Sequence, residues 1–499
     1  MAGSELLTEL AKRLSGKVVI SSDISDDDLK NLDVESLTAL ITTHFSESES
    51  ISILDKETLT NIISKRDDDK SPIEIEISSP TAFKPEAKDI EARFVISNRE
   101  AERTSASVEA FADYFNDRFR NLRGKIDATR GLSILHSIDK MKEYADGREL
   151  SISGMVYEKF VTKKGNIMLT LEDDTGSAKV IFVKVEGNSS AGRLFESAKK
   201  IAPDSVIAVR GKLSSPFLIA NQILWPDIPI RNKKVIDEKI SIAFTSDVHI
   251  GSKLFLEKQF GRFIEWLNGN IDVKKKLAGS IKYLVISGDL VDGIGVYPEQ
   301  DKELSIPDIY KQYSMLFNLL SKIPDYIHTF ILTGNHDAVQ RAEPQPRLTD
   351  DLIGDFSQDN IHLVSNPGSL MLHGLKVLAY HGTSLDSVIR NVPGCSTDKP
   401  ETAMVEMLKM RHLSPVYGDN PIVPNKKDFM AIDEIPDILH MGHMHKNGYT
   451  EYHGTQIINS GTWQSRTSYQ AKLGHFPTPA VLPVYECSKG TLDQIDFNQ

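Results

Sequence analysis

Ile240-Ser241-Ile242-Ala243-Phe244-Thr245-Ser246-Asp247-Val248-His249 is the stretch on which the fold turns: a short apolar run that ends on a carboxylate and an imidazole two positions apart. Such runs, bounded by turn residues, read as buried strands, and the loops at their carboxyl ends are where sites assemble in α/β sheets. The pattern recurs four times. An apolar run at 283–286 precedes Gly288-Asp289-Leu290-Val291-Asp292, and one at 330–332 precedes Gly334-Asn335-His336-Asp337. Further runs at 375–379 and 438–439 precede His381-Gly382 and Gly442-His443-Met444-His445. Any one of these motifs often arises by chance; five in order, separated by helical stretches, predict an α/β sandwich over 238–485 with a metal site at the strand ends.

Residue type sets the ligand chemistry. Carboxylates, imidazoles and an amide oxygen suit Mn²⁺, Fe²⁺ or Zn²⁺, and with only Cys395 and Cys487 in the chain a thiolate cluster is excluded. The candidate metal ligands lie among the Asp, Asn and His residues of these motifs. Seven serve two ions if one carboxylate bridges them, and Asp289 is the natural bridge because its two oxygens can span ions about 3.5–4 Å apart. His412 and His440 lie near the motifs but hold no motif position, and are read as packed, hydrogen-bonded histidines.

The ordered set resembles the calcineurin-like metallophosphoesterase superfamily over roughly residues 238–470. That resemblance implies one ion held by Asp247, His249 and His445, a second by Asn335, His381 and His443, and Asp289 between them. It implies catalytic roles for His336, beside the scissile phosphate as general acid or transition-state stabiliser, and for Asp292, which would orient that histidine. The cofactors would be two divalent metal ions, Mn²⁺ serving in vitro and Fe²⁺, Zn²⁺ or Mg²⁺ also suiting. The chemistry would be metal-assisted hydrolysis with no serine or cysteine nucleophile.

At 499 residues the chain has room for about three domains. Leu6, Leu7, Leu10 and Leu14, then Leu29, Leu32, Leu37 and Leu40, recur at helical spacing and predict a small all-α module over 1–65. Residues 66–105, with Asp67-Asp68-Asp69 and few aromatics, read as a flexible charged linker. A helical connector over 106–147 carries Val108, Phe111, Phe115, Phe119 and Leu122 on one face, a core-packing stripe. From 148 to 230 the period changes to that of a small β-barrel. Strands are expected at 150–157, 167–171, 178–182, 206–211 and 217–222, with a helix near 194–200, an order that resembles an OB-fold.

A barrel directly before a phosphoesterase resembles the small-subunit family of archaeal family-D DNA polymerases, and also the accessory subunits of eukaryotic replicative polymerases. Asn459-Ser460-Gly461-Thr462-Trp463-Gln464, Pro400-Glu401-Thr402-Ala403-Met404 and Arg411-His412-Leu413-Ser414-Pro415-Val416-Tyr417-Gly418 look like signatures of the archaeal group, extending the resemblance over about 107–485. The eukaryotic relatives have lost metal ligands, whereas every position is filled here. The resemblance therefore implies a 3′-to-5′ exonuclease that proofreads for a large catalytic DNA polymerase subunit, acting on single-stranded or mismatched 3′ ends of DNA in the nucleoid-bearing cytoplasm. Two other readings use the same residues: a non-catalytic scaffold subunit, and a general metallophosphatase. Protein phosphatases of the superfamily typically carry Arg and Glu where this chain has Gly293 and Asp337.

Charge constrains how DNA would be held. With 58 Lys+Arg against 70 Asp+Glu the formal net charge is −12, unlike a protein that grips duplex through many phosphate contacts. Arg231-Asn232-Lys233-Lys234 and Lys274-Lys275-Lys276 read as solvated faces. No run of about 18 apolar residues is present to span a membrane, the amino terminus lacks a signal-peptide pattern, and two distant cysteines fit a reducing cytoplasm.

Overall fold

The computed structural model describes residues 83–99, 105–127, 135–187 and 189–498, together with scattered positions between 10 and 59. The chain divides into two units, Met1–Ala82 and Phe83–Gln499. In the first, strands β1 (Val18–Ile20) and β2 (Ser52–Leu54) pair in parallel. The expected all-α module is thus corrected to a mixed one. Val18-Val19-Ile20 is a β-branched run, stiff at χ1 and favoured in strands, and leucine spacing alone could not register it. Leu10, Leu14, Ile24, Leu37, Ile41, Leu54 and Leu59 form its small core. Leu6, Leu7, Leu29, Leu32 and Leu40, and the linker stretch 66–82, lie outside the described residues.

The second unit begins earlier than composition suggested. Strand β3 (Phe94–Asn98) pairs antiparallel along its whole length with a later strand, Gly368–Leu372. Residues 83–98 are therefore part of the fold and not of a tether. Phe94 and Ile96 alternate inward while Val95 is 61% exposed, the period-2 pattern of an edge strand. Five residues of alternation were hidden by the charge of the forty around them.

Helix α1 (Val108–Asp127) follows, then β4 (Leu135–His136), β5 (Glu149–Val161), β6 (Ile167–Asp173), β7 (Gly176–Phe182), α2 (Ser190–Lys199), β8 (Val206–Ser214) and β9 (Phe217–Leu224). Strands run in the order β5-β6-β7-β9-β8, and β8 pairs back onto β5, which closes a five-stranded barrel. β5 can pair on both sides because it is long and bends at a bulge between Val156 and Glu158. Closure leaves few edges and encloses Ile152, Val156, Leu169, Leu171, Val180, Phe182 and Val209.

The remaining chain folds into two six-stranded mixed sheets. The first lies in the order β13-β12-β11-β10-β19-β20, built from β10 (Ser241–Thr245), β11 (Ile281–Ser287), β12 (His328–Leu332), β13 (Ile361–Leu363), β19 (Val481–Glu486) and β20 (Thr491–Asp496). The second runs β17-β18-β16-β15-β14-β3, with β14 (Gly368–Leu372), β15 (Leu375–Ala379), β16 (Ile438–Met441), β17 (Gly448–Tyr452) and β18 (Thr455–Asn459). Ile242, Phe244, Val285 and Phe330 of the first sheet pack against Leu370, Leu372, Val377 and Ile458 of the second. On the outer face of the first, Ala243, Leu284 and Ile286 meet α3 (Glu257–Leu267), α4 (Lys275–Ser280) and α5 (Ile309–Leu320). Leu378, Leu439 and Ile457 of the second meet α7 (Leu385–Asn391) and α8 (Glu401–Met410), while the short α6 (Asp350–Ile353) lies between β12 and β13 in sequence. Strands covered on both faces are why the sequence shows continuous apolar runs there and not alternation.

Helix α1 joins barrel to sandwich. Phe119, Leu122 and Ile126 pack on Val206 and Ala208 of the barrel. On its other side Arg118, 1% exposed, places Nε 2.7 Å from Asp428 Oδ2, while Tyr114 donates its hydroxyl to Asp428 Oδ1 at 2.8 Å.

Candidate metal centre

β10, β11 and β12 run parallel in one sheet, as do β15 and β16 in the other, so within each sheet the motif loops leave the strands in a common direction. Backbone bonds stitch them together: the Asp247 N–H donates to Gly288 O at 2.9 Å, His249 N–H to Asp289 O at 3.1 Å, and Gly442 N–H to His381 O at 2.8 Å. Asp247, His249, Asp289, His443 and His445 all adopt left-handed backbone, with φ from 49° to 67°. For residues with a Cβ this is sparsely populated and strained, and such strain concentrates at functional sites. Gly334 shows how tight the assembly is, because a Cβ there would lie 2.3 Å from Asp289 Oδ1.

The ligand candidates fall into two groups, beside a third cluster of His249, Asp292 and His336. Asp247, His249 and His445 form one, with His445 Nε2 3.3 Å from Asp247 Oδ1 and the Nε2 atoms of the two histidines 3.1 Å apart. Asp289, His381 and His443 form the other, with His381 Nε2 3.3 Å from Asp289 Oδ1 and 2.9 Å from Asn335 Oδ1. Asp289 reaches both, its Oδ2 lying 3.8 Å from His249 Nε2. All seven sequence-derived ligand candidates therefore converge. His336 joins them, with Nε2 4.0 Å from Asp289 Oδ2 and its backbone N–H on Asp289 Oδ1 at 2.9 Å.

Partners farther out fix which ring nitrogen faces inward. Ser287 O can only accept, so His381 donates Nδ1–H to it at 2.8 Å and turns Nε2 to the site. His336 likewise donates Nδ1–H to Asp292 O at 2.8 Å. The Asp292 carboxylate goes elsewhere: Oδ1 accepts from His249 Nδ1 at 3.1 Å and from Gln464 Nε2 at 3.1 Å, and Oδ2 from Gln300 at 3.0 Å. The expectation for Asp292 is thereby redistributed, since its carbonyl orients His336 and its carboxylate orients His249. Such outer partners commonly tune metal sites.

Several supporting residues escaped sequence reading. Asp386 on α7 stands 3.2 Å from His443 Nε2, the Gln470 amide 2.9 Å from His445 Nδ1, and Ser246 donates its hydroxyl to Asp247 Oδ2. None occupies a motif position, so only the folded chain reveals them. The 459–464 signature has a visible purpose: Trp463 N–H and Thr462 Oγ1 both donate to Asp247 O at 2.9 Å. His440, bonded to Ser287 and Ser460 hydroxyls, and His412, bonded to Asp428, make the structural contacts expected of them.

The electrostatics fit cations. Asp247 Oδ1 is buried without a hydrogen-bond donor, and two imidazole Nε2 atoms face each other beside it, an arrangement that a shared positive ion satisfies. Burial would raise Asp289, but His381 and His336 outweigh it and hold the carboxyl well below the usual range. Burial alone would lower His381, yet the Asp289 charge lifts it to about 10. His381 is therefore protonated at neutral pH in the ion-free protein and must release that proton to become a ligand. Divalent ion binding is expected to release protons and weaken as pH falls, read by titration calorimetry in buffers of different ionisation enthalpy. At about 100 times its Kd an ion should stabilise the fold by about 2.7 kcal/mol. A melting temperature indifferent to Mn²⁺, Fe²⁺ and Zn²⁺ would rule out ion binding here.

Residues 242–449 match the family of B subunits of DNA polymerases alpha and epsilon. The chain is 39% identical to the DNA polymerase II small subunit of Pyrococcus furiosus over 399 residues, covering 78% of this chain and 64% of that protein. It is 37% identical to that of Pyrococcus horikoshii, covering 86% and 70%. For Methanothermobacter thermautotrophicus the identity is 36%, with 86% and 87% covered. The chain thus spans slightly less than two thirds of the P. furiosus protein's length.

Proposed function

The chain belongs to the DNA polymerase II small-subunit family, and from that premise we propose that it is a two-metal 3′-to-5′ exonuclease that removes terminal nucleotides for a separate large polymerase subunit. The observation carrying this reading is the completed donor set: Asp247, His249, Asp289, Asn335, His381, His443 and His445 around a buried carboxylate oxygen that lacks a donor. Two divalent ions, when bound there, supply Lewis-acid polarisation of a phosphodiester and a water acidic enough to attack it near neutral pH.

The chain's own residues do the rest. His336, with Nδ1–H committed to the Asp292 carbonyl, presents Nε2 towards the Asp289 carboxylate, where in its protonated form it can donate to a phosphoryl or departing oxygen. Its side chain is 17% exposed and that of His443 16%, against 0% for Asp247 and His381, so a phosphodiester approaches from the His336–His443 side. Gly293 and Asp337 weigh against a protein-phosphatase reading. A Cβ at Gly293, where φ is 77°, would meet His336 O at 2.3 Å, which leaves no room for a substrate-gripping arginine. Asp337 is buried as a clamp, accepting from Gly334 N–H at 2.7 Å and Tyr313 OH at 3.0 Å.

The barrel, read as an OB-fold, and the sandwich surface serve as the dock for the large subunit. With net charge −12 this chain leaves the basic DNA track to that partner. A mismatched 3′ end unpairs at lower cost, which makes it the preferred substrate. No helix among the described residues is long and apolar enough to cross a membrane. The test is a 5′-labelled single-stranded oligonucleotide with Mn²⁺: a ladder shortening from the 3′ end, abolished by EDTA, is expected. An intact oligonucleotide, or one shortened from the 5′ end, overturns the assignment.

A further inference from the structure

Beside His445 the chain projects an arm with unusual surface chemistry. It spans residues 466–476 and contains the short helix α9 (Ser468–Lys472), closed by a capping box between Thr467 and Gln470. Tyr469 is 69% exposed, Phe476 61% and Leu473 52%, so three large apolar side chains stand exposed within eight residues. The arm is anchored. Gln470 Nε2 lies 2.9 Å from His445 Nδ1, Thr478 N–H donates to His445 O at 2.9 Å, and Ser468 Oγ reaches Glu303 Oε1 at 3.4 Å. Glu303 in turn accepts from the hydroxyl of Tyr297, whose ring lies 6.1 Å from that of His336. The arm therefore borders the metal centre and is tied to the segment flanking His336.

Its charge is opposite to that of the protein. From position 452 to 485 the sequence carries Arg466 and Lys472 and no Asp or Glu, in a chain of net charge −12. Arg466 stacks its guanidinium 4.1 Å from the centroid of Phe476, and Lys446, next to His445, donates Nζ–H to Phe476 O at 2.9 Å. Exposed rings beside cations, at the rim of a phosphodiesterase centre, match the way unpaired nucleic acid is held: bases stack on aromatics while phosphates meet the cations.

We propose that the 466–476 arm is the seat of the unpaired strand, with Tyr469 and Phe476 stacking bases near the 3′ end and Arg466 and Lys446 meeting the flanking phosphates. This rests on the exonuclease reading above. It gives the acidic chain a local grip on single strands and none on duplex, whose bases are already stacked.

The test is equilibrium binding of fluorescent dT20 to the full chain in EDTA, so that neither ions nor turnover contribute. Tyr469→Ala and Phe476→Ala should each weaken binding about tenfold, whereas Tyr469→Phe, which keeps the ring, should bind like the wild type. An abasic strand of the same length should be indifferent to loss of either ring. Because both side chains are exposed, the melting temperatures should stay within a few degrees. Unchanged dT20 affinity in both alanine variants, with a wild type that binds and shortens DNA, overturns the arm and leaves the nuclease standing. A wild type that neither binds nor shortens the strand overturns both.

Discussion

A His336→Ala protein is expected to hydrolyse single-stranded DNA about 10²–10⁴-fold more slowly than the wild type while binding divalent ions as before. Ion binding should persist because the backbone N–H that His336 gives to Asp289 is retained in alanine, and because the His336 ring is not one of the seven ligand candidates. What alanine removes is Nε2, aimed at the Asp289 carboxylate by the bond from Nδ1 to the Asp292 carbonyl. Burial lowers the basicity of this imidazole, and a phosphate anion beside it would favour the protonated form. The loss should shrink on bis(p-nitrophenyl) phosphate, whose leaving group departs with little need of a proton. Rates measured on both substrates, with the Mn²⁺-induced melting shift as control, decide the role. An equal loss on both would assign His336 to transition-state charge stabilisation and remove it as general acid.

Arg118→Ala and Asp428→Ala should each cost about 3–5 kcal/mol of stability, read by denaturant unfolding. Arg118 and Asp428 are almost fully buried, and removing either leaves the other charge without its counterion. Tyr114 OH and His412 Nε2 also converge on Asp428, at 2.8 and 2.7 Å, and Arg118 donates to Pro415 O at 2.9 Å. Helix α1, which carries the barrel, is thus fastened to the 411–433 segment of the sandwich. The pH dependence has a definite sign. Burial would raise the Asp428 carboxyl, but His412 and Arg118 hold it far below the ordinary value of about 4. A depressed folded-state pKa means the stabilisation is fully present above pH of about 4 and is lost as pH falls. Wild-type stability should therefore decline on acidification below that point, and Asp428→Asn should flatten that decline. A wild-type curve no steeper than the variant's would show that the cluster is not ionised as described.

The donors were legible because their physics is local. An apolar run long enough for a strand covered on both faces, followed at once by Asp-x-His or Gly-Asn-His, states both a strand and a loop chemistry within about ten residues. The barrel was legible for the same reason, since turn signals and strand-length runs alternate over a short window. Where a signal was spread thin, it failed. The five residues of β3 were averaged into a charged segment, and Val18-Val19-Ile20 was masked by leucines at helical spacing.

By itself, then, the sequence determined which side chains could bind ions and in what order along the chain they occur, because ligand chemistry belongs to residue type and strand placement to hydrophobic pattern. Only the tertiary structure decided what each of them does. Asp292 serves His249 with its carboxylate and His336 with its carbonyl, a division that spacing cannot express. Asp386, Gln464 and Gln470 orient their partners from 57, 172 and 25 positions away, and Arg118 meets Asp428 across 310. The left-handed backbone at five of the seven donors, too, is held by the loops that stitch together around it. Such contacts carry no local pattern, since chain separation sets no limit on which residues a folded core brings within hydrogen-bond reach.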